Sequence, residues 1–185
     1  MRLRHSNDRL AFAAPPLIKG GPVSEQQLEP VCALLDIERD EIVDAQWADN
    51  GPGWIAVMLA DAEAILALKP NYGAVESYDI GVVGEYPLGV VGLASDSSAD
   101  SGIDHSIEVR AFFGAGGTAA EDPVTGSLNA AIAQWLLGNG TLSAPYIARQ
   151  GTDLGRRGYV HIEQADGEIW VGGDAVTVIN GTTSV

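Results

Sequence analysis

The segment Leu128-Asn129-Ala130-Ala131-Ile132-Ala133-Gln134-Trp135-Leu136-Leu137 constrains this chain more than any other. Leu128, Ala131, Ile132, Trp135 and Leu136 recur at i, i+3, i+4, i+7 and i+8, the spacing that lays one helical face against a core. Ser127 serves as an N-cap, and Gly138 and Gly140 are natural stops, so the spacing predicts a helix over about 127–137. The first turn of such a helix leaves amide N–H groups free and carries partial positive charge, so it can hold a carboxylate without a cationic side chain. Immediately upstream stand Glu121, Asp122, Pro123, Val124, Thr125 and Gly126. Asp122 is placed to exchange a proton with whatever binds there, and Thr125 adds a hydroxyl donor. Glu121 is a second candidate carboxylate, or simply a negative charge favouring the helix start. Asp-Pro and Thr-Gly-Ser are also ordinary turn and cap chemistry, which by itself only starts a helix.

The remaining chain supplies strands to enclose that helix. Leu10–Ala14 reads as a short strand stopped by Pro15-Pro16, while Arg2 to Asp8 reads as loosely held. Ser24 with Gln27 opens a helix through about Leu35, which Pro30 should shorten or bend. A second helix runs from an Asp61 cap to Leu68. Strands are expected at Ile42–Trp47, Trp54–Leu59, Asp79–Glu85, Leu88–Ala94, Ser106–Phe113, Tyr146–Arg149, Tyr159–Glu163, Glu168–Val171 and Ala175–Ile179. Asp166-Gly167 makes a hairpin turn, and Ser95–Asp104 a mobile loop. Many strands with three helices give an α+β domain, its longest helix surrounded by strands.

Composition narrows the partners. Asp and Glu number 25 against 10 Lys and Arg, a net charge of −15, with no basic cluster. Phosphate backbones and anionic membrane surfaces are disfavoured. No run of roughly 18 apolar residues or signal-like N-terminus is present, and the chain reads as cytoplasmic. Cys32 stands alone among apolar neighbours, excluding an intramolecular disulfide and a cysteine metal cluster. His5, His105 and His161 share no metal-ligand spacing. Ser127 lies in no Gly-x-Ser-x-Gly elbow, and the glycines form neither a phosphate loop nor a dinucleotide fingerprint. Asn50-Gly51-Pro52-Gly53-Trp54 is a sharp turn whose glycines admit close backbone approach and whose Asn offers a donor and an acceptor.

Glu121-Asp122-Pro123-Val124-Thr125-Gly126-Ser127 before an Ala- and Leu-rich helix resembles the second-lobe motif of the phenazine-biosynthesis PhzF-like isomerases. Arg110-Ala111-Phe112, Gln150-Gly151-Thr152-Asp153-Leu154-Gly155-Arg156 and Val171-Gly172-Gly173-Asp174-Ala175-Val176 agree in order and spacing. The resemblance implies a diaminopimelate-epimerase-like fold: two lobes, each wrapping mixed and antiparallel strands around a helix, with the active site between them. It assigns 17–185 to the second lobe and 1–16 to a strand and linker left from the first. The first lobe's Gly-Asn-Pro segment, its acid–base Glu and its Cys-Gly-His-Ala-like helix start have no counterpart here. The run Gly114-Ala115-Gly116-Gly117 departs from the family's Pro and loosens the approach to Glu121 and Asp122.

The family's active-site Asp and Ser fall on Asp122 and Ser127. The resemblance thus implies proton handling by Asp122 with Glu121 as an uncertain second, and carboxylate binding by Gly126, Ser127 and Thr125. It makes the Asn50-Gly51 loop ligand-facing, and allows Arg110 to contact substrate or to form a structural ion pair. Gln150, Gly151, Gly155 and Arg156 shape the rim. The implied activity is cofactor-independent isomerisation or epimerisation of a small anionic, carboxylate-bearing metabolite, with no metal. The second wall would come from a homodimer or a complementary first-lobe chain. The alternatives are a non-catalytic half-domain that binds a small acid or oligomerises, and a fragment of a longer enzyme.

Overall fold

The computed structural model describes residues 1–6, 9–74, 79–86, 106–115 and 118–183. The expected strand 88–94, the loop 95–104 and His105 lie outside them. Eleven strands form one mixed sheet: β1 (Leu3–Ser6), β2 (Arg9–Ala13), β3 (Lys19–Pro22), β4 (Asp44–Asp49), β5 (Trp54–Met58), β6 (Asp79–Glu85), β7 (Ile107–Ala115), β8 (Thr118–Asp122), β9 (Tyr146–Gln150), β10 (Gly158–Ala165) and β11 (Glu168–Asp174). Their order is β1-β2-β11-β10-β9-β7-β6-β5-β4-β3, with β8 paired to β7. Among the described residues, only β5–β6 and β7–β9 are parallel. Each parallel pair needs a crossover, and helices α2 (Ala62–Ala67) and α3 (Gly126–Gly138) lie in those connections. Helix α1 (Glu25–Leu35) precedes β4.

Period-two alternation divides the sheet's side chains between two cores. On β7, Ile107, Val109 and Ala111 join the core around α3, whereas Phe112 joins a second core with α1 and α2. On β5, Trp54 and Ala56 take the first side and Ile55 and Val57 the second. Every residue from Leu128 to Ala133 is buried, so α3 is enclosed all round and not only along one stripe. The sheet approaches so closely that a Cβ on Gly81 would lie 2.3 Å from Leu128 Cδ1.

The α+β architecture with an enclosed central helix stands as expected, while several local expectations are corrected. Leu3–Ser6 is a strand and not a loose end: it pairs with β2, and the Arg4 guanidinium contacts Glu163 and lies 4.6 Å over the Trp170 ring. Pro30 does not shorten α1, which runs to Leu35. Two further strands escape the sequence pattern, Lys19–Pro22 and Thr118–Asp122. Ala175–Ile179 forms no strand, and it cannot add beside β11, both of whose hydrogen-bonding edges are taken by β2 and β10. Asp166 and Gly167, with φ of 55° and 77°, turn β10 into β11 as a primed hairpin turn requires.

Candidate active site

Strand β8 decides where the two neighbouring carboxylates go. It pairs Asp122 with Ala111, a residue of the α3 core, and Glu121 with Phe112, a residue of the opposite core. Adjacent strand residues point to opposite faces, so the carboxylates separate. Glu121 closes a bidentate pair with Arg110, Nε to Oε1 at 2.9 Å and Nη2 to Oε2 at 2.6 Å. Arg110 also donates to the Ile65 and Leu68 carbonyls at 3.3 and 3.1 Å and to Asp153 at 2.9 Å. All five N–H donors of the guanidinium are thereby used. The two side chains are 1% and 2% exposed. The substrate contact considered for Arg110 and the catalytic role considered for Glu121 find no free group here: Arg110 is the structural ion pair.

Asp122 faces the other way. Its Oδ2 accepts from the Thr125 hydroxyl at 2.7 Å, and Oδ1 receives only a 3.4 Å contact from the Val124 amide. Behind Thr125 lies Gln150, fully buried at the end of β9. Gln150 Nε2 donates to the Asp122 carbonyl at 2.9 Å and to Thr125 Oγ1 at 3.0 Å. Gln150 Oε1 accepts from the Thr125 amide at 3.0 Å and from Asn129 Nδ2 at 2.8 Å. Asn129 Nδ2 also reaches the Thr125 carbonyl at 2.9 Å. Gln150, read as a turn residue on the rim, instead pins the helix start to the sheet. Together with Asn129 it is the main functional-site feature that the sequence reading missed. A polar residue interrupting the apolar run of α3 was the available signal for Asn129.

Thr125, not Ser127, occupies the N-cap position, and its side chain makes no capping bond because it is turned to Asp122. The amides of Gly126, Ser127 and Leu128 find no acceptor among the described residues. No acidic residue lies in that first turn, so the positive end of the helix dipole is not neutralised from within the helix. The Asn50 turn, expected as a ligand-facing loop, packs through its Asn side chain against this point. Asp49 Oδ1 accepts from the Gly51 and Gly53 amides at 2.8 and 2.9 Å, shaping the turn. Asn50 Nδ2 then donates to the Ser127 carbonyl at 2.8 Å, and Trp54 Nε1 to Ser127 Oγ at 3.1 Å. Because Ser127 Oγ accepts that bond, its own proton remains available to a ligand. Gly51 contributes backbone to the turn, with φ of 144°.

The structure thus brings Asp122, Thr125, Gly126, Ser127, Asn50 and Gly51 to one helix end. A groove of about 310 Å³ opens there, lined by Phe12, Val124, Gly126, Arg157 and Tyr159 among others. It shares Gly126 with the cluster but does not include Asp122 or Ser127, which lie beside it. Arg156 is exposed at the end of the turn whose Gly151 packs on Pro123, and its neighbour Arg157 lines the groove. Among the described residues, no group of three or more His, Cys, Asp or Glu could hold a metal ion, and no helix is long and apolar enough to cross a membrane.

Comparison with known proteins adds the following. The family model for phenazine biosynthesis-like proteins, PhzC-PhzF, matches residues 4–181. Among solved structures, a phenazine biosynthesis protein of the PhzF family from Enterococcus faecalis is 20% identical, with a TM-score of 0.58 over 92% of this chain and 56% of that one. The Bacillus anthracis phenazine biosynthesis protein of the PhzF family is 12% identical, TM-score 0.62, over 92% and 59%. A protein described as a predicted epimerase from Pseudomonas aeruginosa is 16% identical, TM-score 0.60, over 89% and 55%. The chain therefore spans little more than half the length of these structures. No curated protein matches it.

Proposed function

Because the chain belongs to the phenazine biosynthesis-like family, we propose that it forms one wall of a cofactor-independent isomerase or epimerase acting on a small carboxylate-bearing metabolite. The ligand carboxylate docks on the free amides of Gly126 and Ser127, with the Ser127 hydroxyl as a further donor. Asp122 takes or returns a proton beside it. Asn50 holds the helix start in place, Gly51 gives its turn the backbone shape it needs, and Thr125 orients Asp122. The pair Arg110–Glu121 fixes β8 and contributes position, not chemistry. A second wall, from a second copy or a complementary first-lobe chain, closes the cleft and excludes water. On this reading residues 17–185 form the second lobe, working in the cytoplasm on a phenazine-like precursor or a related acid.

One observation carries the proposal: Asp122 faces the unsatisfied start of α3 while its sequence neighbour Glu121 is locked away from it. The test is incorporation of deuterium from heavy water into carbon-bound positions of a panel of small carboxylic acids, read by mass spectrometry. The chain is assayed alone and mixed with a complementary lobe, with Asp122→Asn as control. Exchange that Asp122→Asn abolishes supports the reading, and no exchange in either mixture contradicts it. A second reading, a half-domain that binds a small acid without turnover, is favoured by the same ion pair. With Glu121 held by Arg110, Asp122 is the remaining acid–base group in the helix-start cluster.

A further inference from the structure

The hydrogen bonds behind Asp122 have only one consistent polarity, and the backbone fixes it. A backbone N–H can only donate and a backbone carbonyl can only accept. The Thr125 amide points at one end of the Gln150 side chain at 3.0 Å, so that end is Oε1. The Asp122 carbonyl faces the other end at 2.9 Å, so that end is Nε2. Asn129 is fixed in the same way, since its Nδ2 faces the Thr125 carbonyl at 2.9 Å and therefore donates to Gln150 Oε1. The amide orientation of Gln150 is thus set by groups that cannot be reversed, and both Nε2 protons are placed: one on the Asp122 carbonyl, the other on Thr125 Oγ1.

That second bond settles the hydroxyl. Thr125 Oγ1 accepts from Gln150, so its own proton turns to the remaining neighbour, Asp122 Oδ2, at 2.7 Å. Oδ2 is therefore held as an acceptor by a short bond, whereas Oδ1 receives only the long 3.4 Å bond from the Val124 amide, so a proton carried by Asp122 belongs on Oδ1. We propose that Thr125 and Gln150 are positioning residues for Asp122, committing Oδ2 to a hydrogen bond and leaving Oδ1 as the oxygen that takes and returns a ligand proton. In the transfer the ligand's C–H bond breaks and an O–H bond forms at Oδ1. The electron pair stays on the ligand carbon, delocalised into its conjugated system, and the reverse step delivers the proton from Oδ1. No other reactant enters. The inference rests on Asp122 being the proton-handling group, but the hydrogen-bond polarity can be tested without turnover.

The first arm is NMR on labelled protein. The Thr125 hydroxyl proton should be visible and slow to exchange with water, and both Gln150 side-chain amide protons should be protected. In Thr125→Val, an isosteric change, one Gln150 amide proton loses protection and the Asp122 carboxyl carbon signal moves; Thr125→Ser restores both. A fast-exchanging Thr125 hydroxyl, or an Asp122 carboxyl signal indifferent to Thr125→Val, overturns the assignment. The second arm is turnover, read as the deuterium exchange described above. Loss of one hydrogen bond to a charged group slows Thr125→Val by roughly 10- to 100-fold, with Thr125→Ser recovering most of the rate. Binding of benzoate as a probe, followed at the Gly126 amide, stays within about twofold, since the anion site itself is intact. Equal loss of binding and rate would make Thr125 a structural residue only. If the parent turns over none of the acids while the NMR signature is present, the reading of Asp122 as a catalyst fails and the polarity stands.

Discussion

Glu121 and Asp122 are neighbours in sequence but sit on opposite faces of β8, Glu121 closed against Arg110 and Asp122 open to the start of α3. One peptide unit thereby separates a structural carboxylate from a candidate chemical one. Removing either carboxylate should have opposite consequences for stability and for ligand chemistry.

Glu121→Gln removes the buried counter-ion of Arg110 and leaves only the part-exposed Asp153 at 2.9 Å. Losing a buried partner of this kind costs about 3 kcal/mol. Asp122→Asn keeps an acceptor for the Thr125 hydroxyl and should cost less than about 1.5 kcal/mol. Urea unfolding of the two variants checks this, and equal losses would contradict the assignment.

Much of this frame is written in the sequence and some is not, for identifiable reasons. Helix α3, strand β6 and the Asp166-Gly167 hairpin follow from periodicity and turn chemistry, which are local. Strand β8 does not, because Thr118-Ala119-Ala120-Glu121-Asp122 has little strand propensity and is extended only through its ladder with β7. Ala175–Ile179 shows the converse. Its β-branched residues favour a strand, but the strand it directly follows, β11, has no edge left to pair with. At the site, the Asp122, Gly126 and Ser127 cluster is legible because its members are contiguous. Gln150 is not, since its role depends on β9 ending beneath Thr125, a contact between residues 25 apart in the chain.

Deleting the segment after Asp174 should therefore change little. Val176, Val178 and Ile179 are 85%, 87% and 88% exposed, and residues 175–183 have no regular structure. The truncated chain should keep its stability within about 0.5 kcal/mol by thermal unfolding. A larger loss would show that the segment packs where the structure leaves it exposed.

Gly158 couples the sheet to the site by contact. A Cβ there would lie 2.2 Å from Val124 Cγ2 and 2.8 Å from the Gln150 carbonyl, and the latter, being ladder backbone, cannot yield cheaply. Gly158→Ala should cost about 1–3 kcal/mol as overpacking. It should also move the amide resonances of Val124 and Gly126. Unchanged resonances would contradict the contact.

Stability should also depend on Glu108. Burial pushes its carboxyl above the usual 4.5, opposed by the Tyr86 hydroxyl bond, Thr152 and the nearby Arg149 and Arg110 charges. The folded state then binds this proton more tightly than the unfolded chain. Its contribution is complete below pH 4.5 and is lost as pH rises through the raised folded value. Glu108→Gln, which can still accept from Tyr86, should gain stability relative to the parent as pH rises from 4.5 to neutrality. Thermal unfolding across that range checks it; a constant difference would contradict it.

The most direct test of the site itself is a titration of the amide resonances with benzoate. The account predicts saturable shifts concentrated at Gly126, Ser127 and Leu128, with smaller ones at Asn50 and Gly51. Shifts spread over the surface, or a response at the α3 start no greater than elsewhere, would contradict it.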